Sequence, residues 1–350
     1  MYRIMLLLLF PVFCLHCNVP PDKEGRRQNK GRLAALKDSV NQNIYKDINA
    51  IVVYHHGQVL IEEYYNDTEA DDLHDARSVG KSIASAVLGI AVDEGYIQSL
   101  DQPLSDFYNL EDYQNYSSEK GKITIKNLIT MSSNFLGDDN DFESPGNEDH
   151  MYDKENWVKW ALDLPIDSMR ESGKTWHYFT AGVVILGDIL DKSVPNGLEA
   201  YAHEKLFKPL RNTNYKWSYT PQDVPSTAGN FRTDAKGFAD FGQLYLQEGV
   251  WEGKQIISKS WVANSTRTHI ETPFTPRSYG YLWWIKNYDI DSKKYRTAYS
   301  SGNGGNKIFT FKALDAVVAV TASAYNTRYG HKQVDEILTS FILPEIIAHR

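Results

Sequence analysis

Apolar and polar positions alternate between two rhythms along this chain. Ile48 to Tyr54 ("INAIVVY") and Gln58 to Tyr65 ("QVLIEEYY") read as strands. They meet at His55-His56-Gly57, which predicts a hairpin. Ser78 to Glu94 changes to helical spacing, with Val79, Ile83, Val87 and Ile90 on one face and Ala84, Ala86 and Ala91 on the others. A helix apolar almost all round belongs inside a fold, and Gly95 ends it. Residues 100–265 read as helical pieces and loops. Tyr279 to Lys286, Asn306 to Lys312 and Ala316 to Ser323 read as strands, and Val334 to Ile347 as a final amphipathic helix. Strands near both ends with helices between them predict one sheet assembled from the two halves of the chain.

The N-terminus has its own pattern. Arg3 precedes an apolar run from Ile4 to Leu15, the length of a signal-peptide core and short for a bilayer span. Residues 1–17 are therefore expected to direct export, to the periplasm or to a membrane-anchored place in a bacterial envelope. Lipidation at Cys17, plain secretion and a retained anchor stay open. Residues 18–39 are polar and charged and read as a tether, leaving residues 40–350 as one catalytic unit, large enough to have two lobes.

Composition narrows the chemistry. The chain has 350 residues, a net charge of −8 and 42% hydrophobic residues. No basic stripe interrupts it, which argues against nucleic acid as a partner. Its 2 cysteines, Cys14 and Cys17, both fall in the leader. The body thus has no disulfide framework, no cysteine-ligated metal and no thiol nucleophile.

The segment "RSVGKSIASAVLGI" (77–90) carries the sharpest signal. Gly80-Lys81-Ser82 imitates the end of a phosphate-binding loop. That loop requires a glycine five positions before Gly80. Asp75 stands there, after the polar stretch "NDTEADDLHDA" rather than an apolar strand. The alternative is Ser78-x-x-Lys81, a nucleophile with a base one helical turn away. Burial and the positive helix N-terminus both lower a lysine's pKa. A neutral amine beside a serine hydroxyl is a general base. The plainer reading makes Ser78 a helix cap and lets Lys81 reach solvent.

Around this motif the chain resembles the serine β-lactamase and penicillin-binding-protein superfamily, and within it the class C β-lactamase-related hydrolases. The likeness runs from "SVGKSIASAVLGIAVDEGYIQSLDQPLSDFY" through "ITIKNLITMSSNF" (123–135) and "SGKTWHYFTAGVVILGDIL" (172–190). It continues through "KLFKPLRNTNYKW" (205–217), "FADFGQLYLQEGVWEGKQIISKSWV" (238–262) and "YGYLWW" (279–284) to "SSGNGGNKIFTF" (300–311). It covers about residues 40–345 in the family's order. The resemblance implies an α/β (α+β) fold, an antiparallel sheet flanked by terminal helices plus a mostly helical lobe. It implies a covalent acyl-enzyme on Ser78, with Lys81 as partner and Tyr178 in proton transfer. The family's Tyr-x-Asn motif falls on Tyr178-Phe179-Thr180, where Thr180 departs from Asn. The third motif, usually headed by a cation, falls on Ser301-Gly302-Asn303-Gly304-Gly305 and is uncharged. It implies an oxyanion hole from the N–H groups of Ser78 and Asn303. Thr180, His177, Ser301, Gly302 and Gly304 are expected to contact substrate. No cofactor or metal is implied.

The expected substrate is a small-molecule or peptide-like acyl donor: ester, amide, D-amino-acid peptide or lactam. The uncharged third motif favours neutral short esters or small amides over penicillins, unless Arg232 or Lys307 supplies the cation. The same departures leave open a catalytically weak homologue acting as an envelope binding protein. His55 and His56 are expected in an exposed turn, and the acidic run Gly137 to Glu143 as a solvated loop. Oligomeric state is not legible.

Overall fold

The structure, a computed structural model, describes residues 23–349. The leader and both cysteines lie outside the described residues. An antiparallel sheet of 8 strands organises the rest. Strands β1 (Ile48–His55) and β2 (Gln58–Tyr64) come from the N-terminal half. Strands β3 (Ile270–Glu271), β4 (Ser278–Tyr279), β5 (Trp284–Ile290), β6 (Lys293–Gly302), β7 (Asn306–Phe311) and β8 (Ala316–Ala322) come from the C-terminal half. The order is β2-β1-β8-β7-β6-β5-β4-β3, so β1 pairs with β8 and joins the two halves.

The central strands are buried on both faces, which is why β1 reads as an unbroken apolar run. Ala50, Val52 and Tyr54 face one hydrophobic cluster, and Ile51 and Val53 face the other. Alternation sends neighbouring side chains to opposite faces. The first cluster is covered by helices α2 (Val79–Asp93), α3 (Thr180–Ser193) and α4 (Ala235–Leu246) with the helical lobe. The second is covered by α1 (Lys23–Asn41) and the C-terminal helices α5 (Gly330–Ile337) and α6 (Leu343–Ala348).

Three expectations change. The stretch expected as a tether is largely helix: α1 begins at Lys23 and buries Leu36 and Val40 in the second cluster. Strand β6 was not expected. Its first half, "KKYR", is charged, and only Tyr295 of those four residues turns inward. The strand expected over 279–286 is broken, because the chain turns at 280–283 between β4 and β5. The final helix forms across 330–348, with a wider turn at Leu338–Ile342 between α5 and α6.

Candidate active site

Ser78 sits at the N-cap of α2, in a shallow-helical conformation (φ −63, ψ −2), and its side chain makes no capping bond. The hydroxyl is thus not spent on the helix. Arg77 before it is held at φ 52, a left-handed conformation that a non-glycine residue adopts at a cost. Two glycines crowd the same backbone. A Cβ on Gly229 (φ +146) would strike Arg77 and come within 3.1 Å of Ser78 N. A Cβ on Gly302 would collide with Ala76 O and also reach 3.1 Å from Ser78 N. The end of β6 therefore lies directly on the main chain at Ser78, a contact only glycine permits.

Lys81 does not reach solvent. It is 1% exposed, and its Nζ lies 2.8 Å from Ser78 Oγ and donates to the Ala228 carbonyl. Burial pushes its pKa below the usual lysine value, against smaller opposing effects of Glu148 and Asp139. Both plainer readings of the motif thus fail. Tyr178 lies beside this pair, its ring centroid 5.3 Å from Lys81 Nζ. Burial raises the phenol's pKa far above its usual value, while the hydrogen bond with Ser78 works in the opposite direction.

Hydrogen bonds fix α2 to the sheet. Ser82 Oγ donates to Leu282 O at 2.7 Å and lies 2.8 Å from Ser300 Oγ. Ser300, which precedes the third motif, is buried in this lock and its Oγ donates to Val79 O at 3.3 Å.

The cleft beside Ser78 is a cavity of about 320 Å³ lined by Asp139, Glu148, Tyr178, Trp284, Ser301, Gly302, Asn303 and His331, among others. A smaller space of about 150 Å³ adjoins it, lined by Arg77, Glu148, Asp149, Tyr152, Asn230, Asn303 and Asn326, among others. Ser301, Gly302 and Asn303 thus lie where expected. The Asn303 side chain is tied to Asn326 by two hydrogen bonds of 2.6 and 2.9 Å, which anchors this corner.

Three expected contacts do not line the cleft. His177 points away from Tyr178 into the protein, with Nδ1 2.5 Å from Gly137 O and Nε2 2.6 Å from Ser133 O. Thr180 begins α3 and is fully buried; its N–H donates to Asp139 Oδ2 at 2.7 Å. Gly304 pairs with Ala324 behind the strand end and packs toward the Tyr325 ring. Neither reserve cation is on the cleft lining. Lys307 Nζ is buried on Asp335 at 2.9 Å, and Arg232 lies 3.8 Å from Asp75. His55 is buried rather than exposed, while His56 is exposed and bonds Asp315.

The sequence reading also missed lining residues. Trp284 stacks on Tyr178 (centroids 6.0 Å apart, planes at 16°) and touches Trp176. Asp139, in the acidic run expected to be solvated, is drawn in to cap α3 and also accepts from Glu148 N at 2.8 Å. Capping of exposed N–H groups by an aspartate is a general signal, but here the partner lies 41 residues away.

Comparison with known proteins places the chain in a family and supports its fold. The family model described as Beta-lactamase matches residues 46–338. The 6-aminohexanoate-dimer hydrolase of Paenarthrobacter ureafaciens is 24% identical over 265 residues, 67% of this chain and 64% of that protein. The match thus spans just under two thirds of that relative's length. Among solved structures, a putative 6-aminohexanoate-dimer hydrolase from Bacillus anthracis superposes with a TM-score of 0.72 at 20% identity, covering 90% of this chain and 81% of the other. EstCE1, described as a hydrolase with promiscuous acyltransferase activity, gives 0.70 at 15% identity, covering 89% of this chain and 99% of its own. At such identities the superpositions speak for the fold.

Proposed function

The chain belongs to the beta-lactamase family, and from that premise we propose that it is a serine hydrolase working through a covalent Ser78 acyl-enzyme on a small ester or amide. The contact of a buried Lys81 amine with Ser78 Oγ at 2.8 Å carries the reading. Burial without a directly bonded carboxylate favours the neutral amine, the form that accepts a proton. Ser78 Oγ then forms a bond to the acyl carbon as its proton passes to Lys81. The carbonyl π pair moves onto oxygen, where the N–H groups of Ser78 and Asn303 are assigned as the oxyanion hole. Collapse re-forms the carbonyl and expels the leaving group, which takes a proton through Tyr178. The raised phenol pKa suits Tyr178 as a neutral relay rather than a standing phenolate. Water repeats the sequence on the ester, releasing the acid and restoring Ser78.

Amide or ester chemistry is favoured over penicillin hydrolysis because the third motif, whose Ser301, Gly302 and Asn303 line the cleft, carries no cation. Lys307 is committed to Asp335. The names of the relatives, a 6-aminohexanoate-dimer hydrolase and a hydrolase with promiscuous acyltransferase activity, are in keeping with this. Export through residues 1–17 remains part of the proposal on sequence grounds. Fluorophosphonate labelling tests the reading: the wild type should be labelled and Ser78→Ala should not, with its fold retained. Near-normal turnover by Ser78→Ala would refute the mechanism.

A further inference from the structure

The cleft holds more negative charge than acyl transfer can use. Glu148 lines both the main cavity and the adjoining space, and Asp139 lines the main cavity beside it. Among the described residues their hydrogen-bond partners are neutral. Asp139 accepts from the main-chain N–H groups of Thr180 and Glu148, and Glu148 Oε2 accepts from the Tyr152 hydroxyl at 3.0 Å. Arg77, also on the lining, is turned aside: it lies 3.6 Å from Asp75 and 4.5 Å over the Tyr325 ring.

These carboxylates oppose the proposed chemistry in two ways. Both raise the pKa of Lys81, which must be neutral to act. Both also lie in the cleft where an oxyanion has to form, and like charges repel across a low-dielectric space. Their mutual cost is visible too: burial and Glu148 together push Asp139 up to about 7. A positive charge brought by the substrate would reverse all three effects. It would neutralise the pair, free Lys81 of their field and offset the oxyanion. The rest of the lining suits such a charge. Trp284 lines the same cavity, and an indole beside a carboxylate is a common way to hold an ammonium group.

Resting on the serine-hydrolase reading above, we infer that Glu148, with Asp139 beside it and Trp284 as the apolar wall, binds a protonated amine on the acyl donor. The substrate is then an aminoacyl ester or amide, whose ammonium group sits against Glu148 while its carbonyl lies at Ser78. Glu148 is a specificity determinant, and the amine takes no part in bond making.

The test pairs acyl donors that differ only in that charge: glycyl, β-alanyl and 6-aminohexanoyl p-nitroanilides, each with its N-acetyl counterpart, at pH 7.5. The expected result is a preference for the free amine of roughly 10–150-fold in kcat/KM for at least one chain length, the range of a charge-assisted hydrogen bond. Glu148→Gln should lower that preference at least tenfold, chiefly through KM, and Glu148→Asp should keep part of it. A wild type indifferent to acetylation, or a preference that survives Glu148→Gln, overturns the inference. Should the variant fail to fold, protection serves instead: hexylammonium, and not hexanol, should slow fluorophosphonate labelling of the wild type, more so at low salt. Equal protection by both overturns it. The two readings fail separately. Labelling of Ser78 without amine preference removes this inference alone, whereas no labelling and no turnover of any donor removes the hydrolase reading and this inference with it.

Discussion

Lys81 and Lys307 are equally deep in the protein, 1% and 3% exposed, and are built for opposite ends. Lys307 meets Asp335 at 2.9 Å, and Lys286 meets the other oxygen of the same carboxylate at 3.0 Å. Tyr288 donates to Asp335 as well, at 2.7 Å. Burial alone would raise Asp335, but the two ammonium groups and these hydrogen bonds hold its pKa far below the usual carboxylate range. This is a structural ion cluster, tying α5 to β5 and β7. Lys81 has a serine hydroxyl and a carbonyl instead, with carboxylates only at longer range. Depth does not make a lysine a base. The difference lies in whether the buried amine is given a counter-charge.

The sharpest way to break this comparison is to replace each lysine with methionine. Lys81→Met should cut acylation about 10²–10⁴-fold, the usual worth of a proton-transfer group. Lys307→Met should leave the rate within about tenfold, since its amine faces Asp335 rather than the cleft. Tyr178→Phe should cost a loss of the same order as Lys81→Met, and the double variant should lose little more, because groups that act as one unit are not additive. Pre-steady-state release of p-nitrophenol reads all four. Fully additive losses would separate Lys81 from Tyr178, and a large loss in Lys307→Met would erase the distinction between the two lysines.

Stability should reverse the ranking. Asp335→Asn strands two buried ammonium groups, and removing one partner of a buried pair costs about 3–5 kcal/mol. Lys81→Met removes an uncompensated amine and leaves one carbonyl short of a donor, so its net cost should stay within about 1–2 kcal/mol. Urea denaturation, monitored through the tryptophans, compares them. Equal losses would mean that Lys81 is as structurally committed as Lys307.

The sequence showed one of these lysines and not the other. Ser78 and Lys81 share a single helical turn, so their relation is local and readable from spacing. Tyr178, 100 positions further on, was reached only through the family's motif order. Lys307 shows nothing of its role, because Asp335 reaches it only when α5 packs on the sheet. Glu148, Asp139 and Trp284 stayed hidden for the same reason: they reach the cleft by tertiary packing, Asp139 from a run read as a solvated loop, Glu148 from the unremarked stretch after it and Trp284 from a segment read only as strand. Strand β1 was legible because burial on both faces makes it uniformly apolar. Strand β6 was not, because its outer half carries the charges of Lys293, Lys294 and Arg296. Thr180 and His177 were misplaced because proximity to Tyr178 says nothing of direction. Successive residues of an extended chain point opposite ways, which turns His177 from Tyr178, and the start of α3 takes Thr180 inward.

The smallest effect expected is on how stability varies with pH, where Lys81 and Asp335 act in opposite ranges. Burial lowers the pKa of Lys81, and lowers Lys286 to about 8. A lysine whose folded pKa is lowered binds more protons unfolded than folded between its folded value and the unfolded value of about 10.4. Folding stability therefore rises with pH across that window, from about 8 upward for Lys286. Asp335 behaves in the opposite range. Its folded pKa is depressed, so its contribution is full above the unfolded value of about 3.9 and is lost as pH falls below it. Asp139, raised to about 7, adds a shallow decline between about 4 and about 7, since the unfolded carboxyl ionises first. Lys81→Met should flatten the alkaline rise without touching the acid limb, whereas Asp335→Asn should remove most of the acid limb. Chemical denaturation at a series of pH values distinguishes them. An alkaline rise of unchanged slope in Lys81→Met would show that Lys81 holds its proton in the folded protein, and the base assigned to Ser78 would then have to be sought elsewhere.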